Sequence, residues 1–274
     1  MKQKTLLLAL CLFSLQCFAQ KFNSENKLLT ETYVPVTAEN SKGKSTAFYI
    51  SSSEISNKQY REFLKDLSKN KKTEALKIAA VDSTKWKNFM EFGANKPFVD
   101  YYFQDKTYDE FPVVNISKRG AEMYCEWLTE KYNSKAKHKI KFALPTEAQW
   151  ILAAKGGDAK AVYPWQGNSV TYDKKGKWYG ENMCNYRVKK KADEKAINSK
   201  GVDITAVVGS YFPNNFGIYN MSGNVAELVV DKEITKGGSW NSNADKVTIQ
   251  SFEDYTTSPV PSPVVGFRPV MLVQ

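Results

Sequence analysis

The chain has 274 residues, of which 42% are hydrophobic, and its formal net charge is +10. This length suits one large domain behind a short leader, and the apolar content is sufficient for a sizeable core. The sequence contains one histidine, His138, which argues against histidine-rich metal sites and against Ser–His or Cys–His catalysis. The lysine clusters near 69–72, 135–141 and 189–191 are interpreted as solvated loops, and no nucleic-acid partner is expected for an exported chain.

The N-terminus has the pattern of a secretory signal peptide. Two lysines precede an uncharged run that ends at the small residue Ala19, as signal peptides do. The run is shorter than the roughly 20 apolar residues of a spanning helix, and no later segment is apolar enough to span a membrane. We therefore expect residues 1–19 to be a signal peptide cleaved after Ala19, residues 20–32 to be a polar N-terminal segment, and the protein to be secreted or periplasmic. Lipid attachment at Cys17 is the alternative.

The first elements are two strands and a helix. Apolar and polar residues alternate at 33–38 and 47–55, which predicts strands. Ser56 and Gln59 have the spacing of a capping box, which predicts the start of a helix. The apolar face of that helix follows the spacing i, i+3, i+4, i+7 and comprises Tyr60, Phe63, Leu64 and Leu67.

Residues 71–112 lack a regular period and are rich in aromatic side chains. We predict an irregular segment that covers the core, in preference to a ligand-binding platform. The aromatic residues concerned are Trp86, Phe89, Phe92, Phe98, Tyr101, Tyr102 and Phe103.

Two further helices and several short strands complete the prediction. One helix begins near Ser117, and the other begins at Pro145 and Thr146, with Gln149 in capping-box spacing. Turn residues dominate the remainder of the chain, where brief strands are predicted at 207–212, 225–230, 234–236, 247–252 and 267–273. The pattern indicates the α+β class with much irregular structure.

Seven segments, taken in chain order, resemble the formylglycine-generating enzyme (sulfatase-modifying factor) family. They are EISNKQYREFL (54–64), FPVVNISKRGAEMYCEWL (111–128), LPTEAQWILAAKGG (144–157), YPWQGN (163–168), VGSYFPNNFGIYNMSGNVAEL (208–228), KGGSW (236–240) and GFRPV (266–270). The resemblance implies a single domain over residues 33–274. It also implies that family's fold, a loop-rich variant of the C-type lectin-like fold.

Residues 81–132 show a narrower resemblance. The segments VDSTKW, FVDYYFQDKTYDEFPVVNIS and YCEWLTEKYN resemble the gliding-motility lipoproteins of bacterial type IX secretion. Those proteins are longer and carry the domain as a structural part, so this resemblance concerns the domain alone.

The resemblance also exposes a departure from the family's chemistry. Active members oxidise a substrate cysteine with copper held by two cysteine thiolates, which follow a Gly-Gly-Ser-aromatic motif. Here the motif stands at 237–240, and the two cysteine positions hold Ser242 and Val247. Soft Cu(I) requires soft ligands, so we expect no copper and no copper-dependent oxidase activity. Ser239, Trp240, Ser242 and Val247 are then the remains of a catalytic site, with Ser239 in a structural role.

Two cysteines lie beyond the expected cleavage point, Cys125 and Cys184. In some relatives the cysteine that corresponds to Cys125 forms a bridge to a position that is Pro269 here. We expect Cys125 to be a buried free thiol that packs as a small hydrophobic residue. A disulfide between Cys125 and Cys184 is the alternative.

The segment 220–227 resembles the calcium loop of the family. The resemblance implies ligands from the side chains of Asn220 and Glu227 and from the backbone carbonyls of Gly223 and Val225. Oxygen ligands suit a hard cation such as calcium, so we predict one bound calcium ion. The alternative is that Asn220 and Glu227 satisfy backbone groups of the turn with no ion bound.

A second calcium site of the family is not expected. Asn185 and Tyr186 match its first ligands, but its acidic ligand falls near Lys200, with Asp203 close by. A lysine at that place would repel the cation.

The sequence supports three functions. The first is a non-catalytic structural or binding domain in the bacterial cell envelope, with an envelope protein as partner and a link to type IX secretion or gliding. The second is an enzyme with altered chemistry at residues 239–242, which requires a cleft with convergent polar groups. The third is a module that binds a glycan or a peptide on exposed aromatic residues such as Trp178 or Tyr179.

Overall fold

The computed structural model describes residues 32–39, 45–89, 96–134, 139–188, 204–255 and 260–273. The predicted signal peptide, His138, Lys200 and Asp203 lie outside the described residues. Within the described ranges no helix is both long and apolar enough to cross a membrane.

The helices lie in the first part of the chain and the second sheet in the last part. The helices are α1 (Asn57–Lys69), α2 (Thr73–Ala79), α3 (Lys96–Tyr101), α4 (Lys118–Asn133) and α5 (Glu147–Ala154), with 3-10 turns at Ser83–Asn88, Lys106–Tyr108 and Ala244–Lys246. The strands are β1 (Tyr33–Glu39), β2 (Ser45–Ser51), β3 (Ile140–Ala143), β4 (Ala226–Leu228), β5 (Ile234–Lys236), β6 (Phe252–Asp254), β7 (Val265–Gly266) and β8 (Val270–Val273).

The strands form two sheets of four strands each. The first has the order β1-β2-β8-β3 and is antiparallel throughout. The second has the order β6-β5-β4-β7, in which β4 and β7 run parallel. The second sheet follows all the helices in the chain, whereas the strands of the first sheet lie before, between and after them. All strand pairs but β4 with β7 among the described residues are antiparallel, and long loops connect the elements, which confirms the predicted α+β class.

The predicted helix starts are confirmed by their caps. The Ser56 hydroxyl accepts a hydrogen bond from the Gln59 N–H at 3.3 Å, and the Ser56 N–H donates to the Gln59 side chain at 2.9 Å. Thr146 and Gln149 repeat this reciprocal pair at the start of α5, at 3.2 and 2.9 Å. Ser117 caps α4 through the Gly120 N–H at 3.0 Å. Each cap satisfies N–H groups that the first helical turn leaves without partners.

Three local predictions are wrong. The segment 71–112, predicted to be irregular, contains α2 and α3, which are short and bury few residues. The strand predicted at 207–212 is a set of turns, in which Tyr211 has φ 63°. Of the strand predicted at 247–252, only Phe252 lies in a strand. Val247 and Ile249 are buried, but they belong to turns. Burial requires apolar side chains in turns as it does in strands, so alternation alone misleads there.

The three larger apolar clusters of the described residues hold the elements together. The largest lies between α1, α4 and the first sheet, where Tyr60 stacks on Tyr124 with ring centroids 5.8 Å apart. The second surrounds Trp150 of α5. The third joins Trp86, Phe98 and Tyr102 to Trp240. Together with the burial of Phe103, this confirms that much of the aromatic segment covers the core, while Phe89 and Tyr101 are exposed and Phe92 lies outside the described residues.

Candidate functional site

The glycine pair after β5 forms a turn that other residues could not form without displacement of their neighbours. Gly237 and Gly238 have φ values of 85° and 65°, a region that favours glycine. A Cβ on Gly237 would lie 3.0 Å from the Trp150 ring, and one on Gly238 would lie 2.5 Å from the Lys246 carbonyl oxygen. The turn therefore places residues 239–242 tightly against the segment that follows them.

Trp240 anchors this turn in the third apolar cluster. Its backbone N–H donates to the Asn224 carbonyl at 2.9 Å, and its indole Nε1–H donates to the Pro263 carbonyl at 3.1 Å. Its ring lies 6.2 Å from the ring of Trp86 and 6.3 Å from the ring of Phe89. Trp240 thus has a structural role beneath the surface and connects three loops.

The two positions that correspond to the copper cysteines face different surroundings. The Ser242 hydroxyl accepts the Ser239 N–H at 2.9 Å and lies 3.2 Å from the Ser239 hydroxyl, and both residues line an open cleft. Val247 is fully buried and packs with Tyr163 and Cys184 in a small apolar cluster. A hydroxyl and an isopropyl group, directed to separate environments, cannot hold Cu(I).

The cleft beside Ser239 and Ser242 has a volume of about 470 Å³. Its polar lining is mostly uncharged and comprises Asn88, Thr235, Ser239, Asn241, Ser242 and Ser262. Lys85 and Glu253 are the charged residues of its described lining. The cleft is open in the absence of the cysteines. The serine hydroxyls contact each other, and among the described residues no base is hydrogen-bonded to them that would activate them.

Both remaining cysteines are free and buried. Cys125 lies in the cluster between α1 and α4, whereas Cys184 lies beside Val247. Burial in apolar surroundings raises the pKa of the Cys125 thiol well above its usual range and that of Cys184 to about 12. Neither thiol is therefore an available metal ligand or nucleophile at neutral pH. The expectation that Cys125 is a buried free thiol is confirmed, and the alternative disulfide with Cys184 is not formed.

The predicted calcium loop is a tight buried turn. Asn220, Gly223 and Asn224 all have positive φ, at 53°, 74° and 62°. A Cβ on Gly223 would lie 2.2 Å from the Asn185 carbonyl oxygen, so the loop presses its backbone directly on the segment of Asn185. The Asn220 Nδ2 donates to Glu54 Oε2 at 3.1 Å and to the Val208 carbonyl at 3.0 Å, while its Oδ1 is buried without a partner.

Glu227, the predicted charged ligand, is held by an arginine. The Arg268 Nε lies 2.9 and 2.7 Å from the two carboxylate oxygens of Glu227, and Nη2 lies 2.6 Å from Oε1. The Trp150 Nε1–H donates to Oε2 at 2.8 Å. Arg268 thus supplies positive charge where the family resemblance implies calcium. The unpartnered oxygen of Asn220 favours an ion and the engagement of Glu227 disfavours one, so the calcium site stays a prediction.

Glu54 is a second buried carboxylate in the same network. It accepts hydrogen bonds from Asn220 and from Asn224 Nδ2, the latter at 2.9 Å, and lies 4.0 Å from Arg268 Nη2. Burial raises its pKa to about 7. The positive charge of Arg268 lowers this pKa, and the negative charge of Glu227 raises it. Two buried carboxylates, those of Glu54 and Glu227, therefore share one guanidinium, that of Arg268.

Sequence reasoning did not assign roles to Glu54 or Arg268, although both lie in segments that carry the family resemblance. A signal was available for Arg268, because it is a lone charged residue within an apolar segment, and buried charges require partners. The polar neighbours of Glu54 give no such signal. The Asn185 Nδ2 donates to the Ile204 carbonyl at 2.8 Å. Because Lys200 and Asp203 lie outside the described residues, the absence of a second calcium site stays a prediction. Within the described residues no group of three or more His, Cys, Asp or Glu side chains could hold a metal.

The exposed aromatic residues named as ligand platforms form a separate surface. Trp178 and Tyr179 are exposed, and the Trp178 ring lies edge-on to Phe212 at 5.6 Å. Lys177 lies over the Trp178 ring at 4.5 Å.

The fold and the glycine turn define a domain of the formylglycine-generating type. A family model described as the sulfatase-modifying factor enzyme 1-like domain matches residues 19–272. The chain belongs to this family.

Individual relatives match about half of the chain. It is 32% identical over 145 residues to a Bos taurus protein named inactive C-alpha-formylglycine-generating enzyme 2, and this match covers 50% of the chain and 40% of that protein. It is 34% identical over 125 residues to the formylglycine-generating enzyme of Thermomonospora curvata, over 44% of the chain and 33% of that protein. The matched part thus spans less than half the length of these relatives.

Solved structures confirm the fold over most of the chain. Treponema denticola variable protein 1 aligns with a TM-score of 0.54 at 18% identity, over 89% of this chain and 92% of that chain. PvdO from Pseudomonas aeruginosa aligns with a TM-score of 0.55 at 18% identity, over 88% of this chain and 91% of that chain. CarF aligns with a TM-score of 0.56 at 19% identity, over 89% of this chain and 98% of that chain. These identities support a shared fold and nothing about activity.

Proposed function

We propose that the chain is a non-catalytic member of the family that serves as an exported structural or binding component of the bacterial cell envelope. The observation that carries the proposal is the pair Ser242 and Val247, of which one lines the cleft and the other packs against Tyr163 and Cys184. The bovine and mouse relatives are named inactive C-alpha-formylglycine-generating enzyme 2, which is compatible with it.

A copper titration tests the non-catalytic part. The purified chain is titrated with Cu(I) against a chromophoric competitor, beside an active family member as positive control. We expect no stoichiometric binding, because hydroxyl and aliphatic groups do not compete for Cu(I). Tight binding that persists when Cys125 and Cys184 are both replaced by alanine would contradict the proposal, since it would require a copper site that does not depend on the buried thiols.

The envelope assignment rests on the predicted signal peptide and on the resemblance of residues 81–132 to gliding-motility lipoproteins. Its test is fractionation of cells that express the tagged full chain, followed by chemical crosslinking and purification. We expect the chain in the envelope fraction, with type IX secretion or gliding components as crosslinked partners. A chain that stays in the cytoplasm, or that crosslinks to no envelope protein, would count against the assignment.

Calcium remains part of the proposal. The ion would be held by the Asn220 Oδ1 and by the carbonyls of Gly223 and Val225, and it would share Glu227 with Arg268. Bound there, calcium would fix the loop against the segment of Asn185 and would serve structure rather than chemistry.

An enzyme with altered chemistry is the second candidate, because the cleft has remained open. The condition of convergent polar groups is met by Ser239, Asn241 and Ser242. The described lining nevertheless lacks an activated nucleophile, and Lys85 is paired with Asp82 at 3.6 Å. The lining therefore favours a binding function for the cleft. A glycan or peptide module that uses Trp178 is the third candidate, supported by the exposure of that ring.

A further inference from the structure

We propose that the cleft beside Ser239 and Ser242 binds a neutral carbohydrate of about one or two sugar units. This inference rests on the proposed non-catalytic function of the cleft and identifies the class of its ligand. It concerns a different surface from the exposed Trp178 region.

The cleft has the size and the rigidity of a small-ligand site. Its volume of about 470 Å³ lies within the range of roughly 300–1,000 Å³ that is usual for such sites. The floor is fixed by the hydrogen bonds of Ser239 to Ser242 at 2.9 and 3.2 Å and by the burial of Thr235 at 3% exposure. A ligand would meet groups already in place, which lowers the entropic cost of binding.

The polar groups of the floor can both donate and accept hydrogen bonds. The hydroxyls of Ser239 and Ser242 share one hydrogen bond, so one O–H of the pair remains to donate towards the cleft. In the described part of the chain, the side chains of Asn88, Thr235 and Asn241 make no hydrogen bond, and all three residues line the cleft. The Asn241 backbone N–H donates to the Ser239 hydroxyl at 3.3 Å. Sugar hydroxyls also donate and accept, and they match such groups without a requirement for charge.

One part of the lining, the wall, is apolar and includes an exposed ring. Phe89 is 37% exposed and is backed by Trp240 at 6.3 Å, while Pro261 and Pro263 extend the wall. A fixed ring beside a polar floor suits a ligand with an apolar face and a polar rim, and a pyranose has both.

The charged residues of the described lining, Lys85 and Glu253, do not favour a ligand of either charge. Lys85 is paired with Asp82 at 3.6 Å, and Glu253 lies on β6 across from Thr235. One cation and one anion leave no excess of either sign at the opening. A neutral ligand therefore avoids the desolvation cost that a charged ligand would face without a dedicated partner.

An extended peptide fits this cleft less well. Peptides that add to a sheet need unpaired backbone groups along a strand edge. In the described lining, the Ser262 carbonyl accepts the Asn115 N–H at 3.2 Å and the Val264 carbonyl accepts the Ala226 N–H at 2.8 Å. The backbone beside β7 is thus already used by the protein.

The test is an array of neutral glycans, acidic glycans and peptides probed with the purified full chain. Calorimetry then follows with cellobiose, maltose and N,N′-diacetylchitobiose, whatever the array result. We expect binding to at least one neutral probe and no binding to the acidic glycans or peptides. Phe89→Ala should weaken the affinity by about three- to tenfold, as loss of an aromatic contact does. Tyr101→Ala, which removes an exposed ring of α3 outside the cleft lining, should leave it unchanged.

Three results would overturn the inference: no binding to any neutral probe, binding to peptides or acidic glycans instead, or equal affinities for the Phe89→Ala variant and the unmodified chain. A loss of affinity in Trp178→Ala alone would place the glycan on the other surface and would equally overturn it. None of these results bears on the absence of oxidase activity, which the copper titration tests separately.

Discussion

The guanidinium of Arg268 and the carboxylate of Glu227 form an ion pair closed to solvent, with Nη2 and Oε1 2.6 Å apart. Arg268 also donates to the carbonyls of Ser51 and Tyr219, at 3.1 and 2.8 Å, and thereby connects the end of β2 to the predicted calcium loop. Loss of the arginine would leave Glu227 as an uncompensated buried charge. We expect Arg268→Met to lower the free energy of unfolding by about 3–5 kcal/mol in urea denaturation.

A surface pair provides the control for this substitution. Glu74 and Lys77 lie 2.9 Å apart on α2, but both side chains are mostly exposed, and such pairs contribute about 0–1 kcal/mol. Glu74→Gln should therefore change stability little. Similar losses of unfolding free energy in the two variants would show that the buried pair contributes no more to stability than the exposed pair.

Gly223 should not tolerate a side chain. Its φ is +74°, and a Cβ would lie 2.2 Å from the Asn185 carbonyl oxygen, whereas Gly217 has φ +82° and open space around the same position. Gly217→Ala therefore measures backbone strain alone, about 1–2 kcal/mol. We expect Gly223→Ala to cost clearly more in the same unfolding experiment, because it adds a clash with backbone. Equal costs would mean that the loop does not press on Asn185.

The two thiols should be unreactive in the folded protein. Because burial raises the pKa of Cys184 to about 12 and that of Cys125 further, the thiolate fraction stays very small until the pH approaches those values. At pH 8, iodoacetamide should label neither cysteine in the native chain and both in urea, as read by mass spectrometry. Rapid labelling of the native chain would contradict the two buried free thiols, as would a mass deficit of two hydrogen atoms that disappears on reduction and therefore reports a disulfide.

Calcium should stabilise the chain if the loop binds it. Calcium at about 100 times its Kd should add about 2.7 kcal/mol to stability and raise the unfolding temperature, and elemental analysis should find one ion per chain. The shift should vanish in Asn220→Ala and persist in Asn243→Ala, whose exposed side chain makes no capping hydrogen bond. No ion and no shift would mean that Arg268 alone balances Glu227.

The sequence carries the local features of the fold well. Ser56 with Gln59, and Thr146 with Gln149, lie three residues apart, so their caps can be read directly from the sequence. α2 was missed because it has seven residues and buries only Ala79, which leaves no periodic face to detect.

Only part of the candidate site can be predicted from the sequence. Family resemblance identifies Ser242 and Val247, but the 3-10 turn between them directs one to the cleft and the other into the core. The pairing of Glu227 with Arg268 joins residues 41 positions apart, and no local spacing rule predicts such a contact. Likewise, the cleft itself is assembled from loops distant in sequence, so its lining requires the tertiary structure.

Turnover is the most direct test of the proposal that the chain lacks the family's oxidase activity. The purified, copper-treated chain is incubated under oxygen with a cysteine-containing substrate peptide of an active family member, and the product is analysed by mass spectrometry. We predict that the peptide cysteine remains unchanged, while the active enzyme converts it to formylglycine under the same conditions. Formation of formylglycine by the pure chain would contradict the account.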